Sequence, residues 1–195
     1  MVILIDNGHG SNTAGKCSPD RTLLEWAWNR EIACRVVACL KEKGYDARLV
    51  TPEATDITLK ERCRRINAVC KEVGSRNVCS ISIHVNAAGG DGKWHDARGW
   101  SVFVSQNASQ RSKDLAGYLH DEAAKVVKCR RPLPTQKYWV KSLAMCRDTN
   151  CPAVLTENMF MDNHQDCDWI SSEEGKSAVV AIHVQGITDY INAQQ

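Results

Sequence analysis

The feature that most constrains the fold is a regular alternation of short apolar runs with longer helical patterns. Apolar runs of strand length occur at residues 2–5, 47–50, 78–85, 99–105 and 153–156. Apolar side chains at the spacing of one helix face occur at residues 23–43, 58–73, 109–128 and 172–192. Strands that alternate with helices in this way form mainly parallel sheets. The sequence therefore predicts an α/β fold with a mainly parallel, mixed central sheet of about six strands, flanked by helices on both faces.

Glycine and proline mark the ends of several predicted elements. Gly44 and Gly74 follow the first two helical patterns, where a helix commonly ends on a glycine. Pro132 and Pro134 are expected to end the third helix, because proline cannot continue one. No repeat, linker or low-complexity stretch divides the 195 residues, so we expect one domain that spans residues 1–195.

The charge of the chain is nearly balanced, with a formal net charge of +2. Its basic residues lie in short scattered clusters, so we predict no nucleic-acid partner. No run reaches the roughly 18 apolar residues that a membrane span needs. Met1 leads directly into the first apolar run, without a secretory signal. We expect a monomer that either leaves its cell without a leader or is exported by a leader outside this sequence.

The ten cysteines include no Cys-x-x-Cys pair of the kind typical of zinc ribbons and redox motifs. Without a secretory signal, we expect mostly reduced thiols that are buried as small apolar groups. Cys146 and Cys151 flank a predicted turn and are the first pair to test for a disulfide.

Four residues with useful chemistry lie where such sheets form their sites, outside the carboxyl ends of the strands. His9 follows the first strand, His84 ends the third, and Glu157 follows the run at 153–156. Glu25 opens the first helix, after the loop that begins at His9. Two histidines and a carboxylate with an open fourth position are typical of catalytic zinc. A further carboxylate can then move the proton that hydrolysis requires.

Each of these residues also has an ordinary structural interpretation. A lone histidine near a strand end is more often a hydrogen-bonded structural group than a ligand. Glu25 is a favourable acid for the first turn of a helix. Glu157 could pair with an arginine such as Arg62. The residues alone therefore predict a metal hydrolase but identify no substrate.

Two stretches place the histidines in recognisable motifs. Residues 5–10 read Ile-Asp-Asn-Gly-His-Gly, and residues 80–87 read Ser-Ile-Ser-Ile-His-Val-Asn-Ala. They resemble the Asp-Pro-Gly-His-Gly and Ser-Ile-His-x-Asn-Ala motifs of the N-acetylmuramoyl-L-alanine amidases called amidase 3. Asn7 stands where that family often has proline. Both histidines bind zinc in the family, so the resemblance implies His9 and His84 as ligands.

Three further stretches resemble the same family in the same order. Glu25 stands where the family has a metal-binding glutamate at the head of its first helix. Residues 59–67 follow the pattern Leu-x-x-Arg-x-x-x-x-Asn, which contains Arg62. Residues 154–163 resemble the segment that carries the catalytic glutamate, which is Glu157 here. The resemblance therefore spans nearly the whole chain.

The resemblance implies a hydrolase that acts on peptidoglycan. Its reaction would cleave the amide bond between N-acetylmuramic acid and the L-Ala of the stem peptide. A single Zn²⁺ ion would activate the water, with Glu157 as general base and then acid. Two alternatives remain open, namely a zinc peptidase that cuts within the stem peptide and a non-catalytic cell-wall-binding module.

Other residues are candidates for supporting roles around the ligands. Asp6 and Asn86 are candidates to orient the two histidines, as second partners of metal ligands often do. A turn-capping role is an equally good interpretation of Asp6. Arg62 is a further candidate for support or for substrate binding. Residues 11–24 and 128–150 match nothing in the family, and we expect them to determine substrate choice.

Overall fold

A computed structural model describes residues 1–194 and contains a six-stranded sheet. The strands are β1 (Val2–Asn7), β2 (Asp46–Leu49), β3 (Val78–Asn86), β4 (Ser101–Val104), β5 (Trp139–Val140) and β6 (Ala153–Phe160). The helices are α1 (Glu25–Glu42), α2 (Leu59–Val73), α3 (Gln110–Ala124), α4 (Ala144–Arg147), α5 (His164–Ser171) and α6 (Glu173–Asn192). Within residues 1–194, no helix is long and apolar enough to cross a bilayer.

The strands lie in the order β2-β1-β3-β6-β4-β5. All neighbouring strands are parallel except β4 and β6, which are antiparallel. This arrangement confirms the predicted α/β fold with a mainly parallel, mixed sheet. Because β1, β3 and β6 are adjacent and parallel, their carboxyl ends meet at one edge of the sheet.

Helices cover both faces of the sheet, and β1 shows how the sequence specifies this. Ile3 and Ile5 point to the face covered by α1, α3 and α6. Val2 and Leu4 point to the other face, which is covered by α2 and by the segment around Met145. Successive side chains of a strand point to opposite faces, so a run of apolar residues is buried on both. Each such side chain contributes roughly 1.5–3 kcal/mol on burial.

Two element boundaries differ from the sequence prediction. Helix α3 ends at Ala124, well before Pro132, because the N–H groups of Val126 and Val127 both donate to the Ala123 carbonyl and turn the chain. Strand β6 continues beyond residue 156 to Phe160, because its pairing with β3 continues through Glu157 to Phe160. The predicted helix end at 128 and the predicted strand end at 156 were therefore wrong.

The ten cysteines are free thiols in the structure, and six of them are buried. Cys146 and Cys151, the pair first considered for a disulfide, both lie in the core. Cys151 belongs to the same apolar cluster as Cys70 on α2. Burial raises the pKa of both Cys70 and Cys151, because a thiolate would lose its water.

A polar contact is buried between α6 and β6. His183 has no exposed surface, and its Nδ1 lies 2.8 Å from the Val179 carbonyl oxygen. A carbonyl can only accept, so Nδ1 carries the proton, and Nε2 accepts from the Thr156 hydroxyl at 2.9 Å. Burial lowers the pKa of His183 to about 4, because the charged ring would be desolvated.

Acid should destabilise the protein through His183. An unfolded histidine has a pKa of about 6.5, so between that pH and about 4 the unfolded chain binds a proton that folded His183 does not. The free energy of unfolding should therefore decrease as the pH falls through this window. Urea titrations should show that the stability advantage of the wild type over His183→Gln narrows by about 2–3 kcal/mol from pH 7 to pH 4. An advantage that stays constant across this range would contradict the assignment.

Candidate metal centre

The structure brings the three predicted metal ligands together at the carboxyl edge of the sheet. His9 lies just after β1, Glu25 is the first residue of α1, and His84 lies near the end of β3. One ligand atom from each residue lies within 4.8 Å of the other two. The three residues form a group that could hold a metal ion.

Glu25 lies between the two imidazole rings. Its Oε1 is 3.1 Å from Nδ1 of His84, and its Oε2 is 3.3 Å from Nε2 of His9. The N–H of Val85 also donates to Oε1, at 3.1 Å. The Glu25 side chain is only 2% exposed, whereas those of His9 and His84 are 20% and 17% exposed. The carboxylate is therefore the buried base of the group, and the two rings form its open side.

The charges of this group stabilise one another. Burial opposes ionisation of Glu25, but hydrogen bonds with His84 and His9 outweigh it and hold the pKa of Glu25 well below its usual range. Burial opposes the charge of His84 too, but its hydrogen bond to Glu25 and the negative charge of Glu25 raise the pKa of His84. Glu25 is thus a permanent anion, and it attracts positive charge to this position.

Glycine allows the two imidazoles to approach each other. A Cβ atom at Gly8 would lie 2.1 Å from Cε1 of His84, so only glycine leaves room for that ring. The next residue, His9, has a φ of 66°, a left-handed conformation that is uncommon for residues other than glycine. Gly8 has no predicted role of its own, although the Gly-His-Gly motif contains it. Its role is to let the chain pass directly beside His84.

Asn29 is a second residue of the site whose role was not predicted from the sequence. It lies one helical turn after Glu25 on α1 and is fully buried. Its Nδ2 donates to the Gly8 carbonyl at 3.1 Å and lies 3.4 Å from Oε1 of Glu25. The spacing of four residues from Glu25, on the same face of a helix, was the available signal. Asn29 thus fixes α1 against the turn that carries His9.

Arg62 binds the loop that carries His9. Its N–H groups donate to Asp6 Oδ1 at 2.6 Å, Asn7 O at 2.7 Å, His9 O at 3.1 Å, Asp56 Oδ1 at 2.8 Å and Ile57 O at 2.7 Å. The other oxygen of Asp6 accepts from the Ser82 hydroxyl at 2.5 Å. Asp6 therefore acts on His9 through Arg62 and not through the imidazole ring. Arg62 supports the backbone of the site and does not pair with Glu157.

Asn86 stabilises the turn after β3. Its Oδ1 accepts from the N–H of Ala87 at 2.9 Å, and its carbonyl accepts from the N–H of Met161 at 2.9 Å. Within residues 1–194, the hydrogen bonds of Asn86 do not include one to the His84 ring. Its effect on His84 is through the backbone.

Glu157 lies beside the three ligands, inside β6. It is the register partner of His84 on the neighbouring strand. Its Oε2 is buried without a hydrogen-bond partner within residues 1–194. Burial raises the pKa of Glu157 to about 7, and the nearby charge of His84 only partly opposes that rise. This carboxyl group can therefore take up and release a proton near neutral pH.

Asn158 holds the two strands of the site in register. Its Nδ2 donates to the His84 carbonyl at 2.9 Å, and its Oδ1 accepts from Nε1 of the buried Trp100 at 2.8 Å. Beyond this point the β3–β6 register shifts, between His84 and Asn86. The shift ends the regular pairing where the site begins.

The sequence is similar to those of known amidases and of an endolysin. The chain matches the family described as N-acetylmuramoyl-L-alanine amidase (Amidase_3) over residues 3–189. It is 24% identical to an endolysin of Bacillus phage SPP1, over 100% of this chain and 67% of the endolysin. It is also 24% identical to the N-acetylmuramoyl-L-alanine amidase CwlM of Bacillus licheniformis, over 98% of this chain and 69% of that protein.

Two solved structures share the fold over nearly their whole length. The catalytic domain of the amidase CwlV from Bacillus (Paenibacillus) polymyxa superimposes with a TM-score of 0.81 and 25% identity, with 98% of each chain covered. An N-acetylmuramoyl-L-alanine amidase from Clostridium difficile 630 superimposes with a TM-score of 0.82 and 25% identity, covering 100% of this chain and 98% of the other.

Replacing Arg62 should lower the free energy of unfolding far more than replacing an exposed arginine of the same helix. Arg62→Ala leaves the Asp6 carboxylate buried without its counter-charge, so we expect a loss of about 3–5 kcal/mol in the free energy of unfolding. Arg64→Ala, on the same helix, is the matched control, since that side chain is 68% exposed and pairs with Glu61. Its loss should stay below about 1 kcal/mol. Equal losses for the two variants in urea titrations would contradict the role given to Arg62.

Proposed function

The chain belongs to the N-acetylmuramoyl-L-alanine amidases of the Amidase_3 family, and from this membership we propose that it is a zinc enzyme with Glu157 as its proton carrier. It is a peptidoglycan hydrolase that acts on the cell wall. We propose that the sequence forms one catalytic domain and that the ligands of a single zinc ion are His9, Glu25 and His84. The bond that it cleaves joins N-acetylmuramic acid to the L-Ala of the stem peptide.

The residues present fit zinc. Two imidazole nitrogens and one carboxylate oxygen are a common set of ligands for catalytic zinc, which leaves a fourth position open. The atoms that would bind it already lie within 4.8 Å of one another. Glu25 contributes a buried negative charge. A cation bound beside it would compensate that charge, so cation binding is favoured. The partial exposure of His9 and His84 keeps the open position accessible from solvent.

Zinc, when bound, supplies Lewis acidity that makes water easier to deprotonate and polarises the amide carbonyl. The protein's own contribution to the proton transfer comes from Glu157. Its Oε2 has no competing hydrogen-bond partner within residues 1–194. The raised pKa, about 7, suits a group that first accepts a proton from the attacking water. The same oxygen then returns that proton to the leaving nitrogen of L-Ala.

The observation that carries this proposal is the position of Glu157 beside the His–Glu–His group, with its Oε2 buried and without a hydrogen-bond partner within residues 1–194. Burying a carboxylate oxygen without a partner costs free energy. Catalysis gives a reason for that cost, whereas binding to the cell wall alone does not. A zinc peptidase that cuts within the stem peptide could use the same residues. Family membership favours the amide bond to N-acetylmuramic acid.

The purified protein should contain about one zinc ion per chain, bound by the three ligands. His84→Ala should lose the metal, as measured by mass spectrometry of the metal content, because it removes one of three protein ligands. His164→Ala is the matched control, since His164 is an exposed histidine at the start of α5, and it should keep the metal. Chelation should abolish hydrolysis of peptidoglycan, and added zinc should restore it. Full activity in a metal-free sample would contradict the proposal.

Glu157→Gln should lower the rate of peptidoglycan hydrolysis by about 10²–10⁴-fold without loss of zinc, because it removes only the proton carrier. Glu72→Gln, at an exposed position of α2, is the control and should keep the wild-type rate. Products should be identified by mass spectrometry. Free L-Ala amino termini with intact glycan strands support the amidase. Cuts within the stem peptide would indicate a peptidase, and binding without cleavage would indicate a wall-binding module.

A further inference from the structure

A cleft lies next to the candidate metal centre, between the loop before α1 and the loop after β3. Its volume is about 460 Å³. Three basic residues line it, namely Lys16 and Arg21 from the first loop and Lys93 from the second. Asp162 also lines it and follows β6. The first loop lies within residues 11–24, one of the two segments without a match in the family motifs.

The cleft lies at the same carboxyl edge of the sheet as the candidate ligands, since Ala87 follows β3 and Met161 follows β6. The Lys16 carbonyl accepts a hydrogen bond of 2.9 Å from the N–H of Glu25, which fixes this residue next to a ligand. Lys16 therefore joins the first loop of the cleft to the ligand Glu25 through the backbone.

The three basic side chains are available to a ligand. Within residues 1–194, none of Lys16, Arg21 and Lys93 forms an ion pair or a side-chain hydrogen bond. Acidic residues of the same loops already have partners. Asp20 accepts from Ser18 and Thr22, and Asp91 binds His95.

The wall of the cleft is held in place by the remaining acidic residue. Oδ2 of Asp162 accepts from the N–H groups of Ala88 and Gly89, at 2.8 and 3.0 Å. The Asp162 carbonyl accepts from the N–H of His95 at 2.7 Å. Oδ2 thus binds the backbone of the loop, and Oδ1 is buried without a hydrogen-bond partner within residues 1–194. Three cations and one carboxylate leave the cleft with an excess of positive charge.

We propose that this cleft is a subsite for the stem peptide and that Lys16, Arg21 and Lys93 bind a free carboxylate of the residue that follows L-Ala. The inference rests on the proposed function, because it assumes that L-Ala lies at the metal centre. A neutral sugar chain offers no charge for three cations to bind, whereas a peptide carboxylate pairs strongly with lysine and arginine. The substrate would therefore lie with its peptide over this cleft and its glycan strand away from it.

The test compares two soluble muropeptides that are identical except at the residue after L-Ala. One carries a free α-carboxylate there, and the other carries a carboxamide. The wild type should cleave the carboxylate form with a kcat/KM about tenfold higher, mainly through KM, as expected for one or two charged hydrogen bonds. The double variant Lys16→Ala with Lys93→Ala should lose this preference. Lys16→Arg should keep it, because the charge remains.

Lys43→Ala is the matched control, since this exposed lysine follows the far end of α1, and it should keep the full preference. An effect of Lys16 on Glu157 alone would change both substrates equally, so the ratio between substrates isolates binding. A wild type that cleaves both muropeptides equally well would overturn the subsite and leave the amidase intact. A double variant that loses kcat/KM equally on both muropeptides would also overturn the subsite. A wild type that cleaves neither muropeptide nor peptidoglycan would refute the proposed function itself.

Discussion

The site depends on one buried ion pair, between Arg62 on α2 and Asp6 at the end of β1. Asp6 also accepts from Ser82 on β3, so its two oxygens connect two strands and a helix. The same guanidinium group binds the carbonyl of His9 and so holds a left-handed residue in place. Ion pairs buried this deeply add little stability compared with apolar packing, but they are costly to break. The pair therefore fixes where the chain turns out of β1, and the position of the first histidine follows from that turn.

Two glutamates near each other have opposite environments, and this difference separates their roles. Glu25 lies between two imidazoles, and its negative charge is stabilised by both. Glu157 is also desolvated, but its Oε2 has no partner within the described residues, so its acid form is favoured. Pairs of carboxyl groups whose surroundings push their pKa values apart are typical of acid–base catalysis. The protein thus obtains a fixed anion and a proton carrier from the same type of residue.

The sequence predicted the fold class and the candidate ligands because both depend on local patterns. His9, Glu25 and His84 each stand at the end or the start of an element, and alternating strands and helices bring such ends to one edge. Other features depend on contacts between distant residues. The length of β6 beyond Glu157 follows from its pairing with β3, which its own composition does not reveal. The need for glycine at position 8 follows from a ring that lies 76 residues later in the chain.

The strands at the two edges of the sheet are short, and this affects how copies of the protein behave when they are concentrated. Strand β5 has two residues, and β2 has four, with Asp46 and Arg48 paired in solvent beside one another. An edge strand presents unpaired N–H and C=O groups that can recruit a strand from another molecule, and short or charged edges limit such pairing. The edges of this sheet therefore leave little backbone on which copies could build a shared sheet.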